Sequence, residues 1–192
     1  MKKVTFVISH LGSDSTELVR ILNENPRIKI HTSNTNYESV SDLDWLFESG
    51  HKTNNSSAIY GDHLLYNTQL STIALYKFCQ FIYVIRPARP SLNIISCTKG
   101  AKSAYRYYCF RLRRICEMAK RTPNALLVTW NDLSNGRAFS CIEKLLNLKE
   151  ELKPTHQSFM VENEPAPEYQ EKSQDSYERH LYYLKHLKHL VN

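Results

Sequence analysis

No stretch of apolar residues in this sequence is long enough to span a membrane, and no signal peptide follows the first methionine. The opening Met-Lys-Lys leads instead into a short run with the character of a β-strand. We expect a soluble, cytoplasmic protein that makes no membrane contacts.

Cysteine is scarce, and its arrangement argues against both disulfides and metal binding. The five cysteines are odd in number, stand singly and show none of the paired spacings that bind zinc. His180, His186 and His189 have helical spacing, but no set of carboxylates or cysteines accompanies them. We expect reduced, structural thiols and no metal. The cysteines are Cys79, Cys97, Cys109, Cys116 and Cys141.

Length and charge indicate one domain with an anionic ligand. The 192 residues, 42% of them hydrophobic, suffice for one sizeable core and are too few for two. We expect residues 1–153 to form the domain, and residues 154–192 to form a linker and a last helix packed on it. The net charge is +6, and the positive excess is concentrated in residues 99–121. This indicates an anionic ligand, and we expect no nucleic-acid partner.

The start of the chain predicts a strand, a loop and a helix. Residues 4–8 are β-branched or aromatic, as in a buried parallel strand, and apolar residues recur at helical spacing over residues 17–22. The polar turn between them, residues 9–16, would bring hydroxyl donors and unpaired backbone N–H groups to the positive end of a helix dipole. Ser15 or Thr16 would cap the helix. An ordinary capped helix after an edge strand explains the same residues equally well.

Strands alternate with helices along the chain, which predicts an α/β fold, a three-layer sandwich around a central parallel sheet. The strongest strand pattern, residues 78–85, ends at Arg86, and α/β sheets place ligand contacts at the carboxyl ends of their strands. A long helical region follows at residues 92–120, with a break at Lys99-Gly100. Other predicted strands span residues 27–31, 58–63 and 125–130; predicted helices span 40–50, 70–77, 131–146 and 177–190; a connector spans 51–57 and a linker 162–174.

The long helical region carries a basic face in which aromatic side chains alternate with cations. Charged helix faces are usually solvated, so we expect most of these arginines to be exposed and one or two to reach the ligand. The cations are Lys102, Arg106, Arg111, Arg113 and Arg114.

Two motifs together resemble the nucleotide-binding signature of sulfotransferases that use 3′-phosphoadenosine 5′-phosphosulfate (PAPS). In that family a loop rich in Ser, Gly and Thr, between a strand and a helix, cradles the 5′-phosphosulfate. A later strand with the pattern K-x-x-Y-x-x-R-x-x-R grips the 3′-phosphate. Residues 9–16 resemble the first motif, and residues 77–89, KFCQFIYVIRPAR, resemble the second.

Three further segments are similar to elements of the same family. Gly61-Asp62-His63 resembles a Gly-Asp-Lys element, residues 127–133 resemble a late strand with its acidic turn, and residues 142–148 resemble the closing helix. The resemblance covers residues 3–150 and implies a P-loop-like sulfotransferase fold for the domain at residues 1–153.

The resemblance implies transfer of a sulfuryl group from PAPS to a hydroxyl or amine of an acceptor, with adenosine 3′,5′-bisphosphate (PAP) as the product and no metal. It places the 3′-phosphate on Arg86, helped by Arg89 and Ser91, and guanidinium groups suit tetrahedral oxyanions. The base that takes the acceptor proton would be His63 or His31, with His10 as a third candidate, although each is also explained as a structural or surface histidine. The 5′-phosphosulfate loop falls on Gly12, Ser13, Asp14, Ser15 and Thr16.

The loop departs from the family pattern, which has Lys or Arg followed by Ser-Gly-Thr-Thr. Alignment places Gly12 at the basic position and Asp14 at the glycine. A carboxylate repels a phosphosulfate unless it is paired or points away, and the missing cation removes a stabiliser of charge on the bridging oxygen. The serine that follows the family's arginine is also displaced, so that Ser91, Asn93 or Ser96 would make its contact.

A second class of function is a non-catalytic protein that binds a nucleotide or a polyanion on the same scaffold. The altered loop favours this alternative, and the arginine strand favours the enzyme. A P-loop phosphotransferase is a weaker third possibility, because the sequence lacks the Gly-Lys-Ser/Thr that holds Mg²⁺ and phosphates. The sequence leaves open the oligomeric state and the acceptor, which could be a small molecule, a glycan or a peptide bound by loops at residues 32–57 and 155–175.

Overall fold

The structure is a computed structural model that describes residues 3–33, 35–48, 59–70, 73–149, 151–152, 169–187 and 190–191. The predicted connector at residues 51–57 and the predicted linker up to residue 168 lie outside the described residues. The described strands are β1 (Lys3–Ile8), β2 (Ile28–His31), β3 (Ile59–Leu64), β4 (Gln80–Ile85), β5 (Ala125–Thr129) and β6 (Leu190–Val191). The described α-helices are α1 (Ser15–Glu24), α2 (Asp44–Glu48), α3 (Ala88–Lys99), α4 (Ala101–Ala119), α5 (Trp130–Ser134), α6 (Arg137–Leu146) and α7 (Gln170–Lys185).

The described strands form one parallel sheet in the order β2-β3-β1-β4-β5-β6. In β1, near the middle of the sheet, Phe6 pairs with Asp62 of β3 on one side and with Phe81 of β4 on the other. The short β6 lies opposite Ala125 and Leu126 of β5. The prediction of an α/β fold with a central parallel sheet is confirmed.

Helices cover both faces of the sheet, because alternate side chains of each strand point to opposite faces. Phe6 and Ile8 of β1 join a buried cluster with side chains of α2, α3, α4 and α7. Val7, between them, joins a second cluster with α1 and α6. Full burial of a leucine such as Leu112 in the first cluster, or Leu22 in the second, stabilises the fold by roughly 2 kcal/mol. The result is the predicted three-layer sandwich.

The segment before β4 differs from the prediction. β4 begins at Gln80, so the prediction of a buried strand from residue 78 is wrong at Phe78 and Cys79. The Phe78 side chain is 71% exposed, although that of Cys79 is buried. A short 3₁₀ turn, Ile73–Lys77, precedes Phe78, and the backbone N–H of Phe78 donates to the carbonyl of Leu75 within that turn. This turn is the described part of the helix predicted at residues 70–77, and its exit holds Phe78 away from the sheet.

The helices on the first face also differ at their ends. α3 begins at Ala88, four residues earlier than predicted, and the predicted break before α4 is confirmed at Gly100, which has φ 72°. α7 begins at Gln170, so the predicted linker is wrong over residues 170–174. The predicted last helix, residues 177–190, is wrong at Leu190, which belongs to β6. Within the described ranges, no helix combines the length and the apolar character needed to cross a membrane.

The connections after β1 and β4 leave the sheet on opposite faces. α1 follows β1 and contributes Leu18 and Ile21 to the second cluster, whereas α3 follows β4 and contributes Ala88 and Leu92 to the first. Because β1 and β4 are neighbours, a crevice opens between the loops at their carboxyl ends. Open α/β sheets bind ligands in such crevices.

Candidate anion-binding site

The loop after β1 turns on two residues with a left-handed backbone. Gly12 has φ 75° and Asp14 has φ 59°. The helix α1 begins at Ser15, so Asp14 is its N-cap, although the Asp14 side chain makes no capping hydrogen bond. The prediction that Ser15 or Thr16 is the cap is wrong, because the turn is completed one residue earlier. The first backbone N–H groups of α1 have no partner within the helix and lie at this loop.

Gly12 packs directly against α3. A Cβ atom at Gly12 would lie 2.8 Å from the carbonyl oxygen of Ser91, so no other residue fits here without displacing that helix. The buried Ser91 hydroxyl donates to the carbonyl of Gly12 (3.3 Å) and to that of Pro87 (2.9 Å). The glycine thus lets the loop after β1 approach the loop after β4, and Ser91 fixes the approach.

Arg86 lies at the centre of this approach and is only 3% exposed. Its Nη1 atom lies 2.7 Å from Asp14 Oδ2 and donates to the carbonyl of Gly12 (3.2 Å). Trp130 Nε1 donates to the same carboxylate oxygen at 2.9 Å, and the Trp130 ring centroid lies 5.0 Å from the guanidinium carbon. The Asp14 carboxylate is therefore paired, and its partner is the arginine that the family pattern assigns to the 3′-phosphate.

The His10 side chain links the same two loops. Its Nδ1–H donates to the carbonyl of Leu11 (2.9 Å), and its Nε2 accepts from the backbone N–H of Arg86 (3.1 Å). A carbonyl can only accept and an amide N–H can only donate, so this pattern requires the neutral imidazole. Burial lowers the pKa of His10 to about 4, which agrees with that state at neutral pH. Both ring nitrogens of His10 are engaged by the backbone.

Three serine hydroxyls and His63 form a buried network beneath the loop. His63 Nε2 lies 2.8 Å from Ser15 Oγ and 2.9 Å from Ser9 Oγ, and those two hydroxyl oxygens are 2.7 Å apart. Ser13 Oγ donates to Ser15 Oγ at 2.9 Å. Burial, and secondarily the charge of Arg111, lowers the pKa of His63 to about 4. A neutral imidazole in this position can exchange protons with the loop hydroxyls.

Arg111 supports this network from α4. The Nε atom donates to the carbonyl of Ser9 (2.7 Å), Nη2 to the carbonyl of Leu64 (2.6 Å) and Nη1 to Asn67 Oδ1 (3.0 Å). The side chain is 1% exposed, and burial lowers its pKa to about 10, so it is still a cation at neutral pH. The expectation that the arginines of this helix are mostly solvated does not hold for Arg111. The sequence did carry a signal for the burial of Arg111, because Arg111 shares a helical stripe with apolar residues. The stripe consists of Ala104, Tyr108, Arg111, Leu112 and Ile115.

Sequence reasoning also did not single out Tyr107 and Trp130. The Tyr107 hydroxyl accepts from the backbone N–H of Leu11 (2.9 Å) and donates to the carbonyl of Leu65 (2.8 Å), so it ties the loop to the end of β3. Trp130 begins α5 directly after β5, the neighbour of β4. Trp130 lies at the end of a predicted strand, and this position could have marked it as a site residue, as it did for Arg86.

His31 lies apart from this region. It ends β2, which is separated from β4 by β3 and β1, and three strand spacings amount to about 14 Å. The half-buried ring packs on Trp45 with centroids 5.0 Å apart, and burial lowers its pKa. The neighbouring Asp62 carboxylate accepts from the backbone N–H of Ser33 (2.9 Å) and from the Tyr37 hydroxyl (2.9 Å), and it thereby orders the segment after β2.

The structure brings most of the predicted site residues into one region. Thr16 and Arg89 lie at its rim, exposed on the first turns of α1 and α3. His31 is the residue that the fold leaves elsewhere. The residues brought together are Gly12, Ser13, Asp14, Ser15, Arg86, Ser91, His63 and the third candidate base, His10.

The described residues also line cavities outside this region, two of which are as follows. One of 670 Å³ follows the outer edge of β5 and is lined by Asn131, Arg137 and Lys185 among others. The other, of 680 Å³, lies beside α4 and α7, where Phe110 and His180 line it. Among the residues that the structure describes, no three His, Cys, Asp or Glu side chains lie close enough together to bind a metal ion.

Comparison with known proteins identifies the fold. No family model matches the chain, and no curated protein matches it. Among solved structures, it is similar to mouse sulfotransferase SULT7A1 complexed with PAP, with a TM-score of 0.52, 13% identity, and coverage of 78% of this chain and 60% of that chain. The chain has a sulfotransferase-like fold.

The chain spans 60% of the length of the mouse protein. A second solved structure that it matches is retinol dehydratase in complex with androsterone and inactive cofactor PAP. For that pair the TM-score is 0.42 and the identity 10%, with coverage of 98% of this chain and 82% of the other.

Proposed function

We propose that this chain is a PAPS-dependent sulfotransferase that moves a sulfuryl group to a hydroxyl or amine of an acceptor. The observation that carries the proposal is the contact of Arg86 with the loop at Gly12, two positions that are 74 residues apart in sequence. The contact lies at the crevice between β1 and β4, where α/β sheets bind ligands. A buried arginine and a helix N-terminus at one point form a site for an anion.

The residues of the site suit the two charged ends of such a nucleotide. The loop from Gly12 to Thr16 would hold the 5′-phosphosulfate with backbone N–H groups and hydroxyls. Arg86 would bind the 3′-phosphate, with Arg89 approaching from the first turn of α3. Ser91 was a candidate 3′-phosphate ligand; because its hydroxyl is buried against two carbonyls, we assign it to holding the Gly12 carbonyl in place.

Bound PAPS supplies the sulfuryl group: a bond forms from the acceptor atom to sulfur, the bond from sulfur to the bridging oxygen breaks, and the acceptor proton passes to a base. His63 is our first candidate for that base, because its neutral imidazole contacts the loop hydroxyls. His31 is the second candidate, for an acceptor that enters over β3. His10 is the third, since both of its ring nitrogens already bind backbone groups.

One observation favours a second function, a nucleotide- or polyanion-binding protein without catalysis. The Asp14 carboxylate lies 2.7 Å from Arg86, so an incoming phosphate competes with an internal anion for the same guanidinium. The loop itself also lacks a cation, since Gly12 occupies the position of the family's lysine or arginine. Weak binding without turnover is the expected property of such a protein.

Binding of PAP to the chain tests the shared part of both functions. We expect PAP to raise the melting temperature in EDTA, and the effect to weaken with salt, because amides and arginines rather than a metal would bind the phosphates. Arg86→Ala should weaken PAP about ten- to a hundredfold and leave adenosine 5′-phosphosulfate, which lacks the 3′-phosphate, nearly unchanged. Arg113→Ala, on an exposed face of α4, is the control for a general effect of charge. A melting temperature that millimolar PAP does not change would refute the proposal.

Turnover separates the enzyme from the binding protein. Sulfur-labelled PAPS incubated with the chain and a panel of hydroxyl, amine, glycan and peptide acceptors should yield labelled product and PAP. His63→Gln should abolish that transfer while PAP still binds, if His63 is the base. PAP binding without any labelled product would favour the second function.

A further inference from the structure

We propose that Arg111 is the fixed positive charge of the anion-binding loop, in place of the lysine or arginine that the loop lacks at Gly12. The inference rests on the proposed function, because the anion that Arg111 serves is the 5′-phosphosulfate. Arg111 comes from α4, a helix that has no counterpart in either motif of the family signature. It is a positioning residue, since its donors bind the protein rather than the ligand.

Arg111 is buried without a counter-ion. Its three hydrogen bonds go to neutral oxygens, and no carboxylate lies within ion-pair distance among the residues that the structure describes. Neutral acceptors satisfy the N–H groups but leave the net charge uncompensated, and an uncompensated buried charge destabilises the fold. A bound anion would remove that cost, which makes Arg111 a source of binding free energy.

The charge also lies in the right place. Arg111 donates to the carbonyl of Ser9, and the hydroxyl of the same serine contacts Ser15 and His63 in the network under the loop. The charge of Arg111 acts on both neighbouring imidazoles. Burial is the main cause of the low pKa of His63, and the charge of Arg111 is the second cause; the same charge also contributes to the low pKa of His10. A phosphate held by the loop would lie in the same positive potential.

Arg86 cannot supply this charge in the same way. Its guanidinium faces the Asp14 carboxylate at 2.7 Å, so the pair is close to neutral as seen from the loop. Arg111 has no such partner in the described part of the chain, and its donors to Ser9 and Leu64 fix its position at the ends of β1 and β3. The two arginines would therefore act on different phosphates of one nucleotide.

The test compares a variant that keeps the charge with one that removes it. The ligands are PAP and adenosine 3′-monophosphate, which lacks the 5′-phosphate, and calorimetry of folded variants measures both dissociation constants. We expect Arg111→Gln to weaken PAP about ten- to a hundredfold and to change adenosine 3′-monophosphate less than about threefold. Arg111→Lys, which keeps the charge, should restore most of the PAP affinity.

The matched control is Arg113→Gln, the same substitution two residues along α4 at a side chain that is 70% exposed. It should leave both ligands unchanged. Equal losses for the two ligands, or equal losses for Arg111→Gln and Arg111→Lys, would show a purely structural role and overturn the inference while the proposed function stands. Failure of PAP to bind the unmodified chain overturns both.

A measurement on the unmodified chain covers the case in which Arg111→Gln does not fold. The ³¹P resonance of the 5′-phosphate of bound PAP reports its second pKa, which is about 6 in a free phosphate monoester. A nearby buried cation favours the dianion, so we expect this pKa to fall by one unit or more on binding, corresponding to at least about tenfold tighter binding of the dianion. A bound 5′-phosphate that titrates as it does in free PAP overturns the inference.

Discussion

The two buried arginines of the site are held in different ways. Arg86 leaves β4 on a loop and pairs with Asp14, a side chain that is 27% exposed and can regain water when the pair opens. Arg111 projects from a helix and is surrounded by carbonyl and amide oxygens that cannot neutralise it. We call Arg86, which is paired with the partly exposed Asp14, the outer cation, and Arg111, which has only neutral oxygens around it, the inner cation. The comparison teaches that the outer cation can be exchanged between an internal and an external anion, whereas the inner cation acts as a constant field.

The largest expected effect concerns the histidine beside each arginine. His10 and His63 have pKa values lowered to about 4 by burial, so between pH 6.5 and 4 the unfolded chain binds protons that the folded chain does not. Stability is therefore complete above pH 6.5 and is lost as the pH falls toward 4, by roughly 3 kcal/mol for each imidazole. Urea unfolding across this range measures the loss.

Two matched variants divide that loss between His63, beside the inner cation Arg111, and His10, beside the outer cation Arg86. Gln at position 63 can place a polar atom where Nε2 of His63 lies, and Asn at position 10 can place one where Nδ1 of His10 lies. His63→Gln and His10→Asn should each remove about half of the pH dependence. If one variant alone removes the whole pH dependence, the other histidine contributes none of it, and the expectation that burial lowers both pKa values is wrong.

The second prediction compares the arginines by stability. Arg111→Met removes the Arg111 donors from the carbonyls of Ser9 and Leu64, of which Leu64 keeps the backbone N–H of Ser9 (3.1 Å). We expect a loss of about 3 kcal/mol after the relief of burying a charge is subtracted. Arg86→Met frees a carboxylate that is 27% exposed and that keeps the Trp130 Nε1 donor, so the expected loss is smaller, about 2 kcal/mol. Urea midpoints at pH 7.5 give both values. A greater loss for Arg86→Met would reverse our assignment of inner and outer cation.

The third prediction tests the role of the ion pair between Asp14 and the outer cation Arg86. Asp14→Asn removes the internal anion but keeps a residue that tolerates φ 59°, so PAP should bind about tenfold more tightly through the released Arg86. Asp14→Gly, which suits the same φ still better, should shift affinity in the same direction. Asp175→Asn, an exposed acid on α7, serves as the control. Weaker binding by both Asp14 variants would assign Asp14 a positive role in the site.

The smallest effect tests the support of the inner region. Tyr107→Phe removes the hydroxyl that bridges Leu11 and Leu65, and we expect a loss of about 1 kcal/mol with a modest decrease in PAP affinity. Hydrogen exchange of the Leu11 amide should quicken, because its acceptor is gone. Tyr66→Phe, at a 40% exposed ring nearby, is the comparison variant and should change neither quantity.

The local pattern of the sequence was enough to predict the class of fold and which residues lie together in the candidate site. Alternation within strands and helical spacing between them depend on neighbouring residues, so β1, α1 and β4 could be predicted with small errors at their ends. Arg86 could be singled out because any residue at the carboxyl end of a parallel strand reaches the same edge of the sheet. The prediction that Phe78 begins the buried strand was wrong because a 3₁₀ turn, which has little sequence signature, ends at the residue before it.

By itself, the sequence determined that a polar loop after the first strand and an arginine after a later strand would lie at one edge of a parallel sheet. Only the tertiary structure decided that Asp14 pairs with Arg86, that His63 meets Ser15, and that Arg111 lies buried behind Ser9. Such contacts join residues that are 48 to 102 positions apart, and they depend on the order of the strands and the seating of α4. Periodicity records which face of an element is buried, but not which partner it meets there, and for a charged side chain the partner decides the chemistry.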